Sequence, residues 1–143
     1  MSTTFPLHTE SFMLLDSGCL TNSDYFLPFA LTDVLTTFSG MQHQPIIHFW
    51  QLDQAMILGM KDTRVPHLKE GITSLQENDY SVVVRNAGGL GVIADSGILN
   101  VSLILTNNSE HKLSIDEAYE FMWAWLRQSF PEIAIDDFAI TKS

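Results

Sequence analysis

The sequence predicts an α+β fold, with helices packed on a mostly antiparallel mixed sheet. Three observations lead there. Helical and extended periodicities succeed one another along the chain, and short polar or glycine-containing breaks separate the extended runs. A doubly wound parallel sheet would need a crossover helix after each strand, and those are missing. At 143 residues the chain can bury one core. No linker, repeat or low-complexity tract divides it, so a single unit over residues 1–143 is expected.

Leu27, Leu31, Val34, Leu35 and Phe38 recur at helical spacing between the possible N-caps Thr21 to Asp24 and the stop at Gly40. Pro28 fits only a first turn, so this helix is expected from about residue 25 to Ser39. Ile46-Ile-His-Phe-Trp-Gln-Leu52 and Ala55-Met-Ile-Leu-Gly59 read as two strands joined by a hairpin-like turn. Val65, Leu68, Ile72 and Leu75 then return to helical spacing, with Pro66 in the first turn and Asn78-Asp79 leading out.

Ser81-Val-Val-Val-Arg85 is a strand, Asn86 to Gly91 a glycine-rich loop, and Val92-Ile93 an extended continuation. Asp95-Ser-Gly97 is a hairpin-closing turn if Gly97 adopts a positive φ, and Ile98 to Leu105 alternates as a strand. The next helix carries a capping box, Ser114 with Glu117. Its apolar stripe is Ala118, Phe121, Met122, Trp125 and Leu126, and Pro131 stops it by Phe130. A further strand is expected between Ile133 and Ile140.

Composition removes several function classes. A net charge of −10 with only seven Lys and Arg cannot form a basic stripe, which excludes nucleic acid as a partner. The apolar runs are too short for a membrane span, and the N-terminus has no secretory pattern. Cys19 is the lone cysteine, which agrees with a reducing, cytoplasmic setting. The five histidines form no metal-ligand grouping. His48 is expected to line the sheet or fill a small polar niche, and the three tryptophans to pack. Asn100-Val-Ser102 and Asn107-Asn-Ser109 match glycosylation sequons, but no secretion signal accompanies them.

The glycine loop carries the chemistry. Glycines beside a strand let a ligand approach the backbone and leave amides to bind an anion or a carbonyl oxygen. A phosphate loop is excluded, because no Gly-Lys-Ser/Thr follows. A dinucleotide fingerprint is excluded too, because Val92-Ile93 is extended where a helix would have to start. By itself, Gly88-Gly89 reads first as an ordinary tight turn.

The run Arg85-Asn-Ala-Gly-Gly-Leu-Gly-Val-Ile-Ala-Asp95, followed by Gly97 and Leu99-Asn-Val-Ser102, resembles the signature of lipoate-handling enzymes of the biotin/lipoate protein ligase superfamily. His48-Phe-Trp50, Ile57-Leu-Gly59 and Lys61-Asp-Thr-Arg64 resemble the strands and loop that precede it there. The resemblance runs over roughly residues 25 to 130. Asn86 stands where the ligases carry a second Arg, Ala87 where Ser is usual, Leu90 where Gly is usual, and Ala94 where they carry His. Together these departures resemble the octanoyl amidotransferase branch.

The resemblance implies a biotin/lipoate ligase-like catalytic domain, similar to class II aminoacyl-tRNA synthetases, of which this chain is the N-terminal part. It implies an acyltransferase of protein lipoylation, which moves an octanoyl or lipoyl group from the glycine cleavage H protein to lysines of E2 lipoyl domains. The acyl group is itself the substrate, and no cofactor is implied. Exchange between two lysine amides is nearly thermoneutral, so a cysteine thioester suffices to split it into two transfers. The nucleophile is expected beyond Ser143 and the chain by itself inactive, since Cys19 lies far in sequence from the position the resemblance calls for.

The substrate-binding residues implied are Arg85, Asn86, Ala87, Gly88, Gly89, Leu90, Asp95 and Asn100. Gly88, Gly89 and Leu90 are expected to line the acyl slot and turn amides toward the acyl carbonyl. Arg85 would hold the loop or polarise that oxygen, and Asp95 would cap its turn more readily than move protons. Two alternatives stay open: an ATP-dependent lipoate-protein ligase, and a non-catalytic acyl-binding module.

Overall fold

The computed structural model describes residues 11–106 and 112–130, and its architecture is α+β. The elements are β1 (Met13–Leu20), α1 (Leu27–Gln42), β2 (Ile46–Leu52), β3 (Gln54–Leu58), α2 (Leu68–Glu77), β4 (Ser81–Val84), β5 (Val92–Asp95), β6 (Asn100–Ile104) and α3 (Ile115–Ser129). They form two three-stranded sheets, ordered β1-β2-β6 and β4-β3-β5. Each is mixed. The central strand pairs with one parallel neighbour, β1 or β4, and one antiparallel neighbour, β6 or β5.

The two expected hairpins do not form. Only Asp53 separates β2 from β3, fewer than the two residues a tight hairpin needs, so the chain steps from one sheet into the other. Asp53 secures the step: its N–H donates to the Leu20 carbonyl at 3.1 Å, and its carboxylate accepts from the Tyr25 hydroxyl. The connection from β5 to β6 also changes sheets. Gly97 does not take a positive φ there. Asp95 closes the turn instead: its Oδ1 accepts the Gly97 N–H at 2.7 Å and its carbonyl the Ile98 N–H at 3.0 Å.

The helices follow the sequence with shifted ends. α1 takes Pro28 in its first turn but runs through Gly40. It stops at His43, whose φ of 52° and N–H bond to the Ser39 carbonyl make a left-handed cap. Pro45, two residues on, prevents continuation. A 3-10 turn over Asp62–Arg64 precedes α2, and Pro66 lies before the helix, outside its first turn. α3 begins where its capping box demands: Ser114 Oγ accepts the Glu117 N–H at 3.2 Å, and Glu117 Oε2 accepts the Ser114 N–H at 2.8 Å. The strand expected between Ile133 and Ile140 lies outside the described residues.

β1 is absent from the sequence reading. Its alternation is broken by a bulge between Asp16 and Cys19, where Gly18 adopts a φ of +63° and donates its N–H to Asp16 Oδ1. The break hides a strand of eight residues.

The core gathers residues of both sheets, among them Trp50, Leu52, Ile57, Val83 and Ala94, together with Tyr25. Adjacent strand residues point to opposite faces, so β2 meets a helix on each side. Phe29 of α1 packs edge-on to Trp50 with centroids 5.5 Å apart, and Trp125 of α3 stacks on Phe49 at 6.3 Å. Among the described residues no helix is long and apolar enough to cross a membrane.

Candidate functional site

The glycine loop grows out of the ends of β3 and β4, which run parallel and stop together. Beyond Val84, the Arg85 N–H still donates to the Leu58 carbonyl at 2.9 Å, which carries the ladder one residue into the loop. The loop then folds back over the end of β3. A Cβ on Gly59 would sit 2.3 Å from the Gly89 carbonyl oxygen, so only glycine permits this approach of backbone to backbone. The Met60 N–H donates to the Ala87 carbonyl at 3.1 Å and fixes the loop's near side.

Arg85 fixes the far side. Its Nη2 donates to the Leu90 carbonyl at 3.2 Å, across a turn in which Gly89 takes a φ of +90°. That φ requires glycine, and a Cβ there would also lie 2.7 Å from the same Nη2 and push the arginine tip off its bond. The buried Nε of Arg85 has no partner. Asp62, in the 3-10 turn after β3, accepts the Gly59 N–H on Oδ2 at 2.8 Å and lies beneath the loop. Gly91 rests on Met56 and Leu58, where a Cβ would come within 2.6 Å and 3.2 Å of their terminal carbons.

The structure thus joins Arg85, Ala87, Gly89 and Leu90 in one hydrogen-bonded loop, with Asn86 and Gly88 exposed on it. Asp95 is set apart at the end of β5, engaged in the turn to Gly97. Asn100 begins β6 in the other sheet, opposite Trp50, with a buried Nδ2 that has no partner. Sequence reading missed Gly59, Met60 and Asp62 as supports of the loop. The available signal was a glycine directly after an apolar strand, followed three residues later by an aspartate.

The loop faces outward. Leu90 is 66 % exposed, and Val92 and Ile93 beyond it are 45 % and 50 % exposed. A cleft of about 450 Å³ lies instead at the opposite end of β4, lined by Tyr25, Phe26, Asp79 and Tyr80. Burial and the Asp53 hydrogen bond push the Tyr25 hydroxyl above its ordinary pKa.

Two further titratable groups lie on the other sheet. His48 is fully buried in β2, with Nε2 bonded to Ser17 Oγ at 2.8 Å and Nδ1 unpartnered, a polar niche in the sheet. Burial holds its imidazole below the usual histidine range, against the opposing pull of the Asp16 carboxylate. Cys19 is an exposed thiol on β1, paired in register with Gln51. Among the described residues no group of three or more His, Cys, Asp or Glu is placed to hold a metal.

The profile of the lipoyl protein ligase A/B catalytic domain matches residues 24–140, most of the chain and all of the loop. The chain belongs to that family. Within the family it is 35 % identical over 128 residues to the octanoyl-[GcvH]:protein N-octanoyltransferase of Anoxybacillus flavithermus, a match over 88 % of this chain and 46 % of the relative. It is 36 % identical over 108 residues to the lipoyl-[GcvH]:protein N-lipoyltransferase of Listeria monocytogenes, over 75 % of this chain and 38 % of that one. The chain therefore spans less than half the length of either relative. In three dimensions it resembles a bi-partite lipoate protein ligase from Thermoplasma acidophilum, with a TM-score of 0.67 and 21 % identity over 88 % of this chain and 46 % of that one. That likeness establishes the shared catalytic-domain fold.

Proposed function

We propose that this chain supplies the acyl-binding face of an octanoyl or lipoyl transferase, which moves the acyl group from a lysine of the glycine cleavage H protein to lysines of E2 lipoyl domains. One observation carries the reading: a glycine loop of transferase type, Arg85-Asn-Ala-Gly-Gly-Leu, clamped over Gly59 in a chain whose relatives are named for this transfer. The fold neighbour pairs a lipoate ligase with an E2 lipoyl domain, which supports a lipoyl domain as the acceptor. The reaction belongs to the cytoplasm and calls for no cofactor.

The residues divide the work by chemistry. Amides around Gly88 and Gly89 approach the acyl carbonyl without a side chain in the way, and stabilise the charge that develops on its oxygen as the bond is attacked. Arg85 shapes the loop through Leu90 and brings a cation beside it. Leu90 and Val92 offer apolar contact to an aliphatic tail. Asp95 holds the turn that follows β5. The acyl-accepting thiol falls to a residue other than Cys19, which lies on β1, in the sheet that does not carry the loop.

The test is acyl transfer followed by mass spectrometry. Octanoylated H protein and an unmodified E2 lipoyl domain are incubated with the chain, alone and together with the part of the Anoxybacillus flavithermus transferase that it does not match. The octanoyl mass should leave the H protein and appear on the lipoyl domain without ATP, through a cysteine adduct, only when both parts are present. Transfer that requires free lipoate and ATP would establish a ligase instead. Saturable binding of an octanoyl probe without any transfer would leave an acyl-binding module.

A further inference from the structure

The segment that leaves the glycine loop breaks the usual rule for a strand facing water. Within residues 90–99, five large apolar side chains are exposed: Leu90 by 66 %, Leu99 by 53 %, Ile93 by 50 %, Val92 by 45 % and Ile98 by 40 %. A strand with one wet face alternates apolar and polar residues. In β5, however, only Ala94 turns into the core, at 1 % exposure. Val92 shares its side of the strand and Ile93 takes the other, so both faces of β5 are apolar and uncovered near the loop. Among the described residues β5 is also an edge, bonded to β3 alone. It carries no bulge, proline or lysine of the kind that shields a free edge. The opposite edge of that sheet, β4, is packed by α2.

We infer that this edge and its apolar rim are a docking surface for a polypeptide equivalent to the portion of the transferase relatives that this chain does not span. The occupant follows from length and charge. The relatives are more than twice as long as the stretch they share with this chain, since the match covers 46 % of one and 38 % of the other. A second copy is a poor occupant, because each would bring a net charge of −10. A strand laid antiparallel or parallel along β5 would pair its free amides and carbonyls, and an apolar side chain on each face would cover Val92 and Ile93. The docked segment would stand beside Leu90 and Gly89, and would give the glycine loop the second wall that the proposed acyl slot needs. To that extent the inference rests on the proposed function, but its test reads binding alone.

The purified chain is mixed with the separately produced unmatched portion of either relative, the Anoxybacillus flavithermus or the Listeria monocytogenes transferase. Binding is followed by sedimentation and calorimetry, and amide exchange is read in the complex. A 1:1 complex is expected with at least one of them, with exchange slowed over residues 91–95. Ile93→Asp should weaken it by at least about tenfold, because a carboxylate would be buried on an apolar contact. Met41→Asp, at a 72 % exposed position on α1, should leave the affinity unchanged. No complex with either portion overturns the inference. So does protection elsewhere with Ile93→Asp binding normally, or a homodimer of the chain that protects β5. A complex that forms as expected but transfers no octanoyl group would defeat the functional proposal while leaving this one intact.

Discussion

β2 and β5 are similarly apolar in sequence, yet β2 is buried at most of its positions and β5 at Ala94 alone. In β2, Ile46, His48 and Leu52 are fully buried, and helices lie on both faces through Phe29–Trp50 and Trp125–Phe49. In β5, Val92 and Ile93 remain about half exposed, on an edge that nothing else pairs among the described residues. The difference shows that apolar character sets what a strand can bury, while its place in the sheet sets what it does bury. Stability should therefore concentrate around β2, and recognition around β5 and the loop before it.

The largest expected effect tests the covered region. Trp50→Ala removes the ring that Phe29 packs against and leaves Ser102 Oγ without its indole donor, now 3.1 Å away. It should cost about 4 kcal/mol in urea unfolding. Gly59→Ala follows. The new methyl group would strike the Gly89 carbonyl, a backbone atom with no easy retreat, so about 2–3 kcal/mol of stability and any octanoyl-probe binding by the loop should be lost together. If Gly59→Ala retains probe affinity, the clamp is not what shapes the site.

Smaller effects sharpen the contrast. Ser17→Ala leaves buried Nε2 of His48 unpaired and should cost about 1–2 kcal/mol. The same histidine sets a pH dependence. Its pKa is lowered by burial in the folded chain, while the unfolded imidazole titrates near 6.5. Below that value the unfolded chain binds the proton first. The stability that His48 contributes is thus complete above about pH 6.5 and declines as the pH falls toward the folded value. His48→Gln should flatten this part of the urea-midpoint profile. Ile93→Ser comes last. On an uncovered edge it should change the isolated chain's stability by less than about 0.5 kcal/mol, and a larger loss would mean that β5 is covered after all.

Much of the helical framework was legible because its signals are local. The Ser114–Glu117 capping box, Pro28 in a first turn and the spacing of Phe121 and Trp125 each act within a turn or two of chain. The glycine loop was legible for the same reason, since Gly88-Gly89 beside a strand restricts backbone geometry wherever it occurs. The strand pairings were not. One residue, Asp53, decides that β2 and β3 part company, and its hold on Tyr25 and Leu20 is a contact between segments distant in sequence. β1 escaped notice because its bulge at Gly18 interrupts the alternation that would have announced it.

By itself, then, the sequence determined the α+β class, the three helices with the Ser114 capping box of the last, and a loop whose glycines admit a ligand to the backbone. These depend on φ, ψ and side-chain periodicity, which each short segment carries within itself. Only the tertiary structure decided which strands share a sheet, that Gly59, Met60 and Asp62 brace the loop, and that β5 stands uncovered. Those outcomes depend on which surfaces meet, and burial is a property of the pair of surfaces that no single segment can encode.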